Sequence, residues 1–80
     1  MSNLEKFNKA IYDALNVKDI VTINDEMGPD EIENWDSLGH IDLVTALEEQ
    51  FGINIDVIDI SRMYTIGDIK KTLKKYGVVI

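Results

Sequence analysis

The chain has no cysteine, one histidine and one proline in eighty residues. Without cysteine there is no thiolate nucleophile and no Cys–zinc motif, and one histidine makes a His-based metal site improbable. No metal site is therefore expected, and any thiol chemistry needs a thiol brought by a cofactor. Long apolar runs are also missing. The only terminal one is Val78-Val79-Ile80, and no charged leader precedes an apolar stretch. Neither a secretory signal nor a membrane span is supported, so a soluble cytoplasmic protein is expected. The length allows a single domain over residues 1–80, whose stability must come from efficient helix packing because no disulfide or metal assists.

Positive charge is absent from the middle of the chain. Residues 1–18 carry a net +1 and residues 62–80 a net +4, whereas residues 19–61 carry twelve carboxylates and no base. Such a stretch repels phosphate backbones, which argues against nucleic-acid binding. It would steer basic protein surfaces toward the centre of the chain, although an acidic surface that only confers solubility fits the charge equally well.

What is present reads as helix. Ser2-Asn3-Leu4-Glu5 fits a capping box, and Leu4, Phe7, Ile11 and Ala14/Leu15 follow at helical spacing toward an end near Asn16. From Val17 to Trp35 the period fails around Asn24, Gly28 and Pro29, which predicts a long loop pinned by Ile20, Ile23, Ile32 and Trp35. Ile20–Ile23 could pass for a short strand, but it has no obvious partner. A second helix is predicted from the Asp36 N-cap to about Phe51. Its main apolar stripe is Leu38, Ile41, Val44, Leu47 and Phe51, widened by Leu43 and Ala46, and Gly52 stops it. Asp56–Met63 supplies one or two turns, with Val57, Ile58 and Ile60 facing inward. Thr65 and Asp68 resemble a capping box opening a last helix. Its inner face is Ile66, Ile69, Leu73 and Tyr76, with Lys70, Lys71, Lys74 and Lys75 facing water and Gly77 at its end. The expected fold is all-α: three main helices, one short helix and a long first loop.

The chemistry concentrates in Asn34-Trp35-Asp36-Ser37-Leu38-Gly39-His40. Ser37 stands at the first position of the second helix, where free backbone N–H groups and the helix dipole favour an attached phosphate. Asp36 opposes this as a second anion, and Asp36-Ser37 is also an ordinary helix start. His40, three residues on, shares the Ser37 face and raises a Ser–His hydrolase reading. That reading lacks an oriented base, an oxyanion hole and a Gly-x-Ser-x-Gly elbow, so His40 is expected to be an exposed helix residue. Trp35 is expected to anchor the loop on the bundle, with an alternative role as a contact surface.

Asp-Ser-Leu at the head of an acidic helix after a long loop resembles the acyl carrier protein family. The likeness extends through Ile41-Asp42-Leu43-Val44-Thr45-Ala46-Leu47-Glu48-Glu49-Gln50-Phe51-Gly52 to Thr65-Ile66-Gly67-Asp68-Ile69 and covers nearly the whole chain. It implies a small helical carrier, not an enzyme and without catalytic residues, bearing 4′-phosphopantetheine on Ser37 within the Asp36-Ser37-Leu38 motif. The arm would come from coenzyme A through a phosphopantetheinyl transferase. It would hold acyl or aminoacyl thioesters supplied by a loading ligase and delivered to acyltransferases or synthases with basic patches. Leu38, Ile41, Asp42, Thr45, Glu48 and Glu49 match the family's docking positions, and a monomer is implied. Each carboxylate also fits a solvated helix face, and Leu38 also fits the core.

The chain departs from fatty-acid-synthase carriers at four places. Asn34-Trp35 stands where small residues are usual, Gly39 where an acid is usual, and Thr45 where an apolar residue is usual. The resemblance therefore points to a stand-alone specialised member in a dedicated pathway such as secondary-metabolite assembly or polysaccharide modification. A housekeeping fatty-acid carrier, a D-alanyl or peptidyl carrier and an acidic helical adaptor without an arm are the alternatives. Restoring Gly39→Asp with Thr45→Met is expected to improve transfer by fatty-acid enzymes.

Overall fold

Local capping signals and apolar spacing produce four helices in order: α1 (Asn3–Ala14), α2 (Ser37–Phe51), α3 (Val57–Ser61) and α4 (Ile66–Lys75). The computed structural model describes residues 2–17 and 23–80, and among these no strand occurs. The all-α expectation holds. Ile20 and most of the possible short strand lie outside the described residues.

Ser2 and Glu5 form the expected capping box, each satisfying a backbone N–H of the other. Phe7, Ala10 and Ile11 are buried along α1, with Leu15 just beyond it, while Leu4 is exposed. The helix stops at Ala14, and Asn16 adopts a left-handed φ of 51° that asparagine tolerates better than most residues. α1 packs chiefly on α2.

The buried face of α2 differs from the expected stripe. Leu43, Val44 and Leu47 are buried, but Leu38 is 75% and Ile41 60% exposed, and Phe51 is half-buried. The segment is apolar on so many sides that spacing alone admits two faces. Contact with α1 selects the one containing Gly39, Leu43 and Leu47. Gly52 closes the helix with a φ of 64°, and its N–H bonds to the Glu48 carbonyl.

The loop before α2 is a strap. Ile32 and Trp35 are buried beneath it, and Ile23 packs against the core, so these anchors are as expected. The Met27 and Asp25 carbonyls accept from the Ile66 and Gly67 N–H groups, both at 2.9 Å, and so satisfy the otherwise free start of α4. At its other end the Asn34 amide donates to the Leu15 carbonyl at 2.8 Å, closing the C-terminus of α1.

α3 corrects a second expectation: Val57 and Ile58 are 76% and 58% exposed, and only Ile60 packs inward. A five-residue helix offers the core little more than one turn-facing position. Polar contacts hold it instead. Tyr76 donates its hydroxyl proton to Asp59 at 2.7 Å and accepts from the Asp56 N–H at 2.8 Å, and Lys75 lies 3.1 Å from both Asp59 oxygens. The Tyr76 bond, then Lys75, holds the Asp59 carboxyl below its ordinary range.

Thr65 caps α4 by accepting from the Asp68 N–H, but the Asp68 carboxylate reaches the Tyr64 N–H rather than that of Thr65. Ile66, Ile69 and Leu73 are fully buried, and Tyr76 is half-buried at the end. Not all four lysines face open water. Lys70 is half-buried, 2.7 Å from Asp25 and 5.7 Å above the Phe7 ring centre, while Lys71 and Lys74 are exposed. Charge pairing across the strap draws Lys70 inward along its apolar stem.

Candidate functional site

Ser37 begins α2 at the surface, one residue after its cap. The Asp36 carboxylate accepts from the Gly39 N–H at 2.8 Å and is thereby turned along the first turn of its own helix. The N–H groups of Ser37 and Leu38 find no acceptor among the described residues, and the exposed Ser37 hydroxyl makes no hydrogen bond there. The serine oxygen therefore sits at the positive end of a fifteen-residue helix beside two unsatisfied donors.

His40 is not the exposed residue expected. Its Nδ1 lies 2.8 Å from the Trp35 indole nitrogen and its Nε2 lies 2.9 Å from the Ile60 carbonyl. Indole N–H can only donate, so Nδ1 accepts, Nε2 carries the proton, and the ring is neutral. Both nitrogens are committed away from Ser37, which removes the base from the Ser–His hydrolase reading. Trp35 is a buried loop anchor that also holds this ring, and its alternative role as an open contact surface is withdrawn. The link joins positions 35, 40 and 60, which share no helical or strand period; only a tertiary structure could reveal it.

Around Ser37, Leu38, Ile41, Asp42, Thr45 and Glu49 are exposed, and the acids among them have no cation partner among the described residues. Thr45 bonds its hydroxyl back to the Ile41 carbonyl at 3.0 Å. Glu48 is half-buried, and its carboxylate accepts from the Ile55 N–H at 2.7 Å, fixing the α2–α3 connection. Val57 and Ile58, which sequence spacing had turned inward, are exposed as well.

Gly39 is a further correction. It is buried, and a Cβ there would collide with the Asn34 carbonyl oxygen. Its lack of a side chain follows from the close approach of the strap to α2, not from a charge lost at the surface. Gly39→Asp is therefore disruptive and cannot serve to restore a docking contact. No group of three potential metal ligands occurs among the described residues, and no helix among them is long and apolar enough to cross a membrane.

The arrangement matches that of a candidate acyl carrier protein from Mycobacterium tuberculosis with a TM-score of 0.80. The chain is acyl-carrier-protein-like. The match covers 94% of this chain and 99% of the mycobacterial one, at 25% identity. No family model matches the sequence. This acyl-carrier-like bundle thus keeps its overall path with three quarters of its aligned residues changed, as expected when burial pattern rather than particular side chains defines a core. The likeness supports a carrier rather than a catalyst and enzymes as its partners.

Proposed function

We propose that the protein is a carrier whose Ser37 bears phosphopantetheine through a phosphodiester and whose terminal thiol holds acyl or aminoacyl groups. The observation that carries this reading is an exposed, unbonded serine hydroxyl at a capped α2 head within an acyl-carrier-like fold. The residues present fit the group. Ser37 supplies the oxygen, the free N–H groups of Ser37 and Leu38 supply positive potential, and Asp36 is engaged with Gly39. The bound arm would supply the thiol that a cysteine-free chain lacks. The chain's own part is to present the arm and keep it tethered, which raises the effective concentration of cargo at a partner site.

Transfer from coenzyme A would form a bond between the Ser37 oxygen and phosphorus and break the pyrophosphate link, releasing the adenosine bisphosphate. Partner recognition is assigned to Leu38, Ile41, Asp42, Thr45 and Glu49, a face with apolar centre and unpaired acids that suits a basic enzyme surface. The phosphopantetheinyl transferase, a loading ligase and receiving acyltransferases or synthases are the partners this face would meet. A dedicated pathway now rests on Thr45 alone, since Asn34, Trp35 and Gly39 have structural causes. The test is intact mass after incubation with coenzyme A and a broad-specificity transferase. One arm should add to wild type and none to Ser37→Ala; no addition to wild type would favour an arm-free adaptor.

A further inference from the structure

The Trp35–His40–Ile60 link is the one polar bridge among the described residues that joins the strap, the serine-bearing helix and α3 at a single side chain. The imidazole and indole rings are also stacked, 6.0 Å between centres with 26° between planes. Each end of the bridge constrains the ring's proton. Trp35 requires an acceptor at Nδ1, and the Ile60 carbonyl requires a donor at Nε2. A ring with both nitrogens protonated satisfies Ile60 but sets its Nδ1–H against the indole N–H. Stacking alone could survive as a cation–π contact, but the hydrogen bond could not.

The elements around the ring carry Glu33 in the strap, Asp36 and Asp42 on α2, and Asp56, Asp59 and Arg62 on or beside α3. None pairs with the ring, and Asp36 and Asp59 are committed to Gly39 and to Tyr76 with Lys75. α3 gives the core little: it is five residues long, with Val57 and Ile58 exposed and only Ile60 packed inward. Its hold on the bundle is largely polar, through Asp56 and Asp59 to Tyr76 and Lys75 and through this bridge. Losing the bridge would remove one of the few tethers it has.

We propose that His40 is a proton-controlled latch: while neutral it ties α3 to Trp35 and the first turn of α2, and its protonation loosens α3. The latch belongs to the unmodified chain and does not depend on Ser37 carrying an arm. On the carrier reading, its consequence is a change in how the exposed Val57 and Ile58 of α3 are held in mildly acidic surroundings.

The chain contains a single tryptophan and a single histidine, so the indole emission and any imidazole response to acid have one source each. Tag-free protein is titrated from about pH 7.5 to 5, the range in which an imidazole ordinarily takes up its proton. Trp35 emission and amide exchange of α3, corrected for intrinsic rates, are followed together. Wild type should change emission with a one-proton transition and exchange the amides of Ile60 and Ser61 at least about tenfold faster at the acid end. His40→Gln, whose amide can accept from Trp35 and donate to Ile60 without titrating, should keep both readings flat. Trp35→Phe should show fast α3 exchange at both pH values. Unchanged α3 exchange in wild type, or the same acid response in His40→Gln, would overturn the latch. Transferase labelling at about pH 7.5 runs in parallel: its failure bears only on the carrier reading, and failure of the exchange experiment bears only on the latch.

Discussion

The two ends of the charge distribution are used differently. Near the C-terminal end of the chain, two of the four α4 lysines are tied into the fold: Lys70 with Asp25 over Phe7, and Lys75 with Asp59, which Tyr76 also bonds. Along the outer face of α2, Asp42 and Glu49 have no cation within the described residues, and Leu38 and Ile41 lie uncovered ahead of them on the same helix. Side chains engaged inside a fold lose little when the outside changes, whereas unpaired groups remain free to be completed by a partner. The comparison therefore separates residues whose substitution harms the fold from those whose substitution harms recognition.

The sharpest break is at Ser37. Ser37→Ala should abolish arm attachment, read by intact mass, while thermal unfolding stays close to wild type because Asp36 still caps α2. Next comes Gly39→Asp, expected to cost about 2–3 kcal/mol by forcing the strap away from α2, measured by denaturant unfolding. A fully stable variant would mean that Asn34 does not constrain this position. Reversing Asp42 and Glu49 to Lys should slow transfer by a cognate partner about tenfold at low salt, with little change in stability. Equal rates would reduce this face to a solubility feature.

Glu48→Ala sharpens the contrast within one helix. It should destabilise by about 1–2 kcal/mol because the buried Ile55 loses its N–H acceptor, while Glu49→Ala should be nearly silent in the same melt. The smallest effect concerns acid. Asp59 is held below its ordinary carboxyl range in the fold, so its ionised form is favoured there. Its contribution is fully present above the unfolded-state value of about 4 and fades as pH falls through the lowered folded value. Tyr76→Phe should weaken that acid dependence, seen as a shallower fall of melting temperature below about pH 4.

Several of these groups were legible in the sequence because their signals are local. Capping by Ser2, Asp36 and Thr65 needs only a side chain two or three residues from the N–H it serves. The period of α4 picked Ile66, Ile69 and Leu73 because lysines occupy the other side. Ser37 stood out because it combines a motif with a helix start, and the structure places it exposed just after the cap of α2. α2 was harder. Apolar residues surround most of it, so Leu38 and Ile41 could not be told from Leu43 and Leu47 until α1 had a position.

The sequence by itself determined where helices begin and end, the acidic centre of the chain, and the serine at the head of α2. These follow from contacts within a turn or from charge counts, neither of which needs distant residues. Only the tertiary structure decided that Gly39 makes room for Asn34, that Glu48 serves Ile55, and that His40 spans Trp35 and Ile60. In each case the deciding group is a backbone atom or indole brought close by the packing of the strap and α3 onto α2. A backbone carbonyl or N–H carries no residue-type signature, so no pattern of letters announces which side chain will meet it.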